Sequence, residues 1–258
     1  METPQFNIQR YFTNNFGLGK KPAVNKLKLK AAPVVIALVC LVLTFAVHPA
    51  CIIGTLLLGF YGAGLPLMNK MKEQKAADEW TEKYNYCRDN WDAEYDKFLK
   101  QVVDNINPKK KGMDRLGIDE DQVKEVEPFA IRGNDWKTNW RRGKDGIYRT
   151  NGYELSWLYF SDTQIYIYTV KFKLSEPTKL TEDTQEFFYT DIVSVAVNTE
   201  STTLSGSSGD GKDESINTEA FRLVVPGDKL SCAFTSNEFI NTSVNGMKNL
   251  IRQKKMTK

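Results

Sequence analysis

Residues 31–68 read AAPVVIALVCLVLTFAVHPACIIGTLLLGFYGAGLPLM, an almost wholly apolar run broken at His48-Pro49-Ala50. Lys20, Lys21, Lys26, Lys28 and Lys30 crowd its front edge, and Lys70, Lys72 and Lys75 its rear. A helix crosses ~30 Å of hydrocarbon with about 20 apolar residues. As one helix this run would be about 57 Å long, too long for a single upright span. Proline disfavours helix at the residue before it and cannot donate its own backbone bond, so the run divides at His48-Pro49. Residues 31–47 and 51–68 each sit at the short end of the spanning range. Lysines and arginines near span ends stay cytoplasmic, and here both flanks are basic while the turn is not. The expectation is a transmembrane two-helix hairpin in the cell's inner (plasma) membrane, multi-pass, with the N-terminus and the C-terminal domain both cytoplasmic. Gly59 and Ala63 form a small-xxx-small pair suited to close helix approach. A re-entrant hairpin is the alternative topology. His48 is not the small residue a signal peptidase needs ahead of Ala50.

About 190 residues follow residue 68, enough for one ordinary domain and a connector. A formal charge of +3 argues against a nucleic-acid partner. The four cysteines are scattered, with no metal-ligand spacing and no disulfide framework. The one histidine lies in the turn of the apolar run, so His-based acid–base catalysis and His-rich metal sites are excluded in practice. No nucleophile has a base beside it, so the chain reads as no enzyme, with no cofactor and no metal.

Residues 1–30 form a basic juxtamembrane segment. From Asn69 to Ile106, apolar residues recur at steps of three and four: Trp80, Tyr84, Cys87, Trp91, Tyr95, Phe98, Val102 and Ile106. This is one apolar stripe on a charged helix. Asn107-Pro108 ends it. The stripe either folds back on the following domain or pairs with another copy. Lys109-Lys110-Lys111-Gly112 reads as a solvated linker, and Asp119 with Gln122 reads as a capping box. Asp119, Glu120 and Asp121 lack the glycine and distal glutamate of a calcium loop. Residues 69–145 are thus a helical connector and linker.

From Gly146 the period becomes two. Tyr153–Tyr159, Gln164–Leu174 and Phe187–Val197 read as strands, and Phe221–Val225 with Leu230–Phe234 as a hairpin about Pro226-Gly227-Asp228. Residues 199–218 form a long polar insert. Within it, Gly206–Asp213 nearly matches a phosphate-binding loop but has Asp213 where the hydroxyl residue belongs. A C-terminal helix opens at Asn241, with Val244, Met247, Leu250 and Ile251 on one side.

The segment Phe188-Tyr189-Thr190-Asp191-Ile192-Val193-Ser194-Val195 resembles the Y-x-D-I-x-x-V strand of bacterial pleckstrin-homology-like and GRAM-like domains. Residues 221–228 and 247–252 resemble segments of bacterial membrane proteins of unknown function that carry such a domain at the C-terminus. The resemblance covers roughly residues 146–256. It implies an α+β chain: transmembrane hairpin, long helical connector, and over residues 146–258 a C-terminal PH-like antiparallel β-barrel capped by an α-helix. It also implies a binding or scaffolding role with no activity attached.

The expected function is therefore a membrane-anchored, non-enzymatic scaffold that presents its β domain to a protein partner or a second copy, with the lipid bilayer as its support. A small pore gated by the soluble domain is the alternative. Candidate contacts to headgroups or partners are Lys20, Lys21, Lys26, Lys28, Lys30, Lys70 and Lys72, the cluster Trp136, Trp140, Arg141 and Arg142, and the strand pair Lys171 and Lys173.

Overall fold

The computed structural model describes residues 3–28, 31–44, 56–57, 60–123, 126–205, 213–234 and 238–256. The chain divides into two compact units, Met1–Pro4 with Leu18–Arg88 and Gln5–Gly17 with Asp89–Lys258.

The first unit contains helix α1 (Ala31–Thr44), a π-helical turn (Phe60–Gly64) and the opening part of helix α2 (Leu65–Ile106). Where the sequence led us to expect a second span, the π turn runs into α2. That helix acquires Asn69, Lys70, Lys72 and Glu73 within its first turns. Among the described residues no helix is long and apolar enough to cross a membrane. The expected transmembrane hairpin is therefore corrected: the described residues hold α1, a π-helical turn and the long, increasingly polar α2, none of them long and apolar enough to cross. The multi-pass inner-membrane placement with both ends cytoplasmic loses its basis with it. His48-Pro49-Ala50 and Lys30 lie outside the described residues. Asn25 donates to Glu73 through its backbone N (3.0 Å) and side-chain Nδ2 (3.3 Å), which holds the Glu73 carboxyl below its ordinary range.

In the second unit α2 stops at Asn107, which takes the left-handed conformation (φ 48°), and Pro108 opens helix α3 (Pro108–Leu116). Proline suits a first helical position because its missing N–H would have no partner there. The lysine run expected as a linker is thus helical. Gly112 lets α3 approach the sheet: a Cβ there would meet the Tyr159 hydroxyl at 2.4 Å.

Seven strands follow, β1 (Phe129–Arg142), β2 (Tyr148–Phe160), β3 (Gln164–Lys173), β4 (Glu176–Phe188), β5 (Ser194–Leu204), β6 (Glu214–Val225) and β7 (Asp228–Phe234). They form two antiparallel sheets, β1-β2-β3-β4 and β5-β6-β7. Among the described residues the strands form no closed barrel, contrary to the expected PH-like barrel. The strands β1 and β7 meet by packing, where Gly133 lies so near Ala233 that a Cβ would sit 2.2 Å from the Ala233 carbonyl oxygen. Phe187–Val197, expected as one strand, is cut by a 3-10 turn at Tyr189–Asp191 into the end of β4 and the start of β5. The polar insert is shorter than expected, because β5 runs to Leu204 and β6 begins at Glu214. Helix α4 (Glu238–Met256) buries Met247 and Ile251 in the main core with Leu158, Ile165, Phe221 and Phe234 from both sheets. Lys254 pairs with Asp162 (3.2 Å) and Lys255 donates to the Ile192 carbonyl (2.5 Å), so α4 closes the end that holds the β2–β3 and β4–β5 connections.

Arg149, at the start of β2, is 3% exposed. Its guanidinium donates to Asp96 (2.7 and 2.9 Å) and to Asp145 (2.8 and 3.0 Å), with Asp92 at 4.0 Å. Burial works against this charge, but the carboxylates outweigh it and raise the Arg149 pKa. In return Arg149 holds the Asp145 carboxyl down to about 2 from its ordinary 3.8.

A folded-state pKa below the unfolded one adds stability above about pH 4 that is lost as pH falls toward 2. Chemical denaturation across pH 2–5 should show this loss, and Asp145→Asn should flatten it. Gly133→Val should cost about 1–3 kcal/mol by forcing the sheet junction apart, measurable by urea unfolding, whereas Gly246→Ala, in helix α4 with open space around it, should cost nothing or stabilise slightly.

Candidate functional site

The two sheets part at the end opposite α4 and leave a cleft of about 930 Å³. Its walls come from the middle of β1, the start of β2, the β3–β4 turn and the last residues of β5. Sheet register explains how residues distant in sequence meet here. Glu154 on β2 lies opposite Lys171 on β3, and Lys173 lies opposite Glu176 on β4. Lys171 pairs with Glu154 (3.1 Å) and Lys179 with Glu176 (3.0 Å). Lys137 and Lys173 also line the cleft, and neither is in an ion pair among the described residues. Asp135 accepts from the Lys137 backbone N at 3.1 Å. Trp136, half-buried, supplies an aromatic wall. The site offers four ammonium groups against three carboxylates, beside the exposed end of a strand.

The structure brings Trp136, Lys171 and Lys173 together as candidates and sends the rest of the aromatic cluster elsewhere. Trp140 is core, 2% exposed, packed with Leu204 and Ile216. Arg142 is 5.5 Å from the Tyr148 ring centroid and 3.8 Å from Glu214, which also accepts a short hydrogen bond from Tyr148 Oη. Arg141 clamps the N-terminal arm Gln5–Gly17. It donates to the Tyr11 and Thr13 carbonyls (2.9 and 3.4 Å) and lies 3.8 Å from the Phe16 ring centroid. In that arm Tyr11 stacks on Tyr95 at 4.9 Å, and its hydroxyl donates to Asp92 (2.8 Å). Burial first, then Asp92, pushes the Tyr11 pKa up. Phe16, held at φ 53°, meets Trp91 edge-on at 5.3 Å. From Trp91 onward, then, the aromatic stripe of α2 is covered by its own chain.

The remaining candidates belong to the first unit. Lys20, Lys21, Lys26, Lys28, Lys70 and Lys72 are exposed. Lys26, Lys28 and Lys70 come together around a shallow depression of about 240 Å³ with Glu73. Sequence reasoning missed Lys137, Lys179, Glu154 and Glu176. Each is an ordinary charged residue, and only strand pairing gives it neighbours.

Cys87 and Cys232 are buried. Burial pushes the Cys232 thiol up to about 12, which keeps it protonated and non-nucleophilic at neutral pH. The acidic residues Asp119 and Glu120 sit at a 3-10 turn, where the Asp119 N–H donates to Gln122 Oε1 (3.0 Å) as the capping box expects. Among the described residues no group of three or more His, Cys, Asp or Glu side chains is placed to hold a metal. The loop Gly206–Lys212 lies outside the described residues. No family model, no curated protein and no solved structure matches this chain.

Arg141→Ala should release the arm. The Tyr11 and Phe16 amides, which donate to Asn7 and Thr13 carbonyls, should lose about ten-fold or more of their hydrogen-exchange protection, the equivalent of about 1.4 kcal/mol. Amides at the β2–β3 pairing should stay protected.

Proposed function

We propose that the second unit is a non-enzymatic binding module whose open cleft seats an extended, acidic segment of a protein partner. The observation that carries this reading is the pair Lys137 and Lys173, both lining the cleft and both without an ion-pair partner among the described residues. Carboxylates of an incoming segment would pair with them, and Trp136 would cover its apolar stems. The end of β5 at Thr202–Leu204 lines the same cleft, and among the described residues the outer edge of β5 bonds to no strand. An extended chain matches such an edge. The protonated thiol of Cys232 supports a binding role over nucleophilic chemistry.

The test is a titration of the full chain with an Asp/Glu-rich peptide and with a Lys/Arg-rich one of equal length, followed by peptide anisotropy and by Trp fluorescence. The acidic peptide should bind, and added salt should weaken it. Lys137→Glu with Lys173→Glu should cost about ten-fold or more in affinity. Equal binding of the basic peptide, or indifference to the charge reversal, would sink the reading. So would binding confined to anionic lipid vesicles.

A further inference from the structure

The exposed apolar side chains of the molecule concentrate in the first unit. Among the described residues, twelve of the eighteen large apolar side chains that stand exposed fall between Val35 and Met71. On α1, Val35, Ile36, Leu38 and Val39 spread over about 160° of the helix circumference at about 100° per residue. No residue of α1 is charged. The π turn, which α1 contacts, adds Phe60 and Tyr61, and the start of α2 adds Met68 and Met71. Scattered exposed apolar residues need no explanation, but apolar side chains gathered in one unit mark a binding surface.

The chain enters and leaves this surface at one place. The Asn25 hydrogen bonds to Glu73 tie the segment ahead of α1 to the first turns of α2, and Lys26, Lys28 and Lys70 gather around the depression beside them. Residues 18–28 and 60–75 hold seven lysines, all exposed, against one carboxylate, Glu73. An apolar region thus ends in a basic collar. A second copy carries the same excess of positive charge and is repelled, whereas phosphates are attracted. A protein partner covers one face of a helix behind a polar rim. Fluid hydrocarbon covers a helix that is apolar most of the way round. We propose that the first unit seats on the surface of an anionic phospholipid bilayer, with the apolar side chains of α1, the π turn and the start of α2 among the acyl chains and Lys26, Lys28, Lys70 and Lys72 at the phosphates. Such seating needs no helix that crosses. It is independent of the cleft in the second unit.

The test mixes the full chain with vesicles of phosphatidylcholine alone, or of phosphatidylcholine with one third phosphatidylglycerol, and reads bound protein by flotation. The chain should float with the anionic vesicles and about ten-fold less with the neutral ones, and high salt should narrow the difference. Lys26→Glu with Lys70→Glu, both at exposed positions, should lower anionic binding by about ten-fold or more. Leu38→Asp with Phe60→Asp should abolish binding to both kinds of vesicle. Unchanged thermal unfolding of the second unit checks that these variants fold. Lys137→Glu with Lys173→Glu, in the cleft, should leave flotation unchanged, so failure of the cleft reading and failure of this one are told apart. No flotation with anionic vesicles, or a discrete dimer in solution that ignores them, would overturn the proposal. So would equal flotation with both kinds of vesicle that the Lys26 and Lys70 reversals leave unchanged, or loss of flotation on charge reversal in the cleft.

Discussion

A single guanidinium out of water holds the second unit together. Burying Arg149 alone would be prohibitive, so the chain surrounds it with carboxylates from two places, Asp92 and Asp96 on α2 and Asp145 in the β1–β2 turn. This welds helix to hairpin with directional, charge-assisted bonds. It also explains a glycine: a Cβ on Gly143 would stand 2.3 Å from Arg149 Nη1 and 2.8 Å from Asp92 Oδ2. Asp92 extends the network by accepting from the Lys144 N–H (2.8 Å) and the Tyr11 hydroxyl (2.8 Å). The arm, the long helix and the first hairpin therefore share one polar centre. Tyr95 is the other part of the joint. Its hydroxyl donates to the Thr150 carbonyl at 2.5 Å and lies 2.6 Å from the Tyr153 hydroxyl.

The β1–β2 hairpin turn and the β3–β4 turn lie at the end of the sheets away from α4, and there the sheets diverge. Around α4 the strand connections are packed over by Met247 and Ile251. At the other end, β1 touches β7 at Gly133 and then separates from it, and charged side chains from four strands, β1 to β4, surround open space. Alternation along β1 divides one basic aromatic motif among different tasks. Trp136 faces the cleft, Trp140 fills a small core, and Arg141 reaches the arm. A register shift between Asp135 and Trp140 makes this division possible.

The same shift hid β1 from sequence reasoning, because a bulge breaks the period of two on which strand recognition rests. The long strands β2 and β3 were legible, with Leu158, Ile165 and Ile167 alternating into the core. So were the hairpin at Gly227, which takes φ 87°, and the core face of α4. The break between β4 and β5 was not, because Phe187–Val197 keeps a strand-like composition through its 3-10 turn. The apolar run misled for a different reason. Hydropathy counts residues, while crossing a bilayer needs one unbroken helix of sufficient length. Among the described residues no helix meets that need, and Val35, Ile36, Leu38 and Val39 are exposed on α1.

Local pattern thus settled that β2, β3, the β6–β7 hairpin and α4 form, and where Pro108 and Gly227 turn the chain. Those properties depend on neighbours in the chain, so they can be read from it. The burial of Arg149, the pairing of Glu154 with Lys171 and the cleft around Lys137 and Lys173 arise from contacts between residues far apart in sequence. Each depends on how one strand registers against another and on how closely α2 and α3 approach the sheet. No spacing of residue types along the chain encodes such distances.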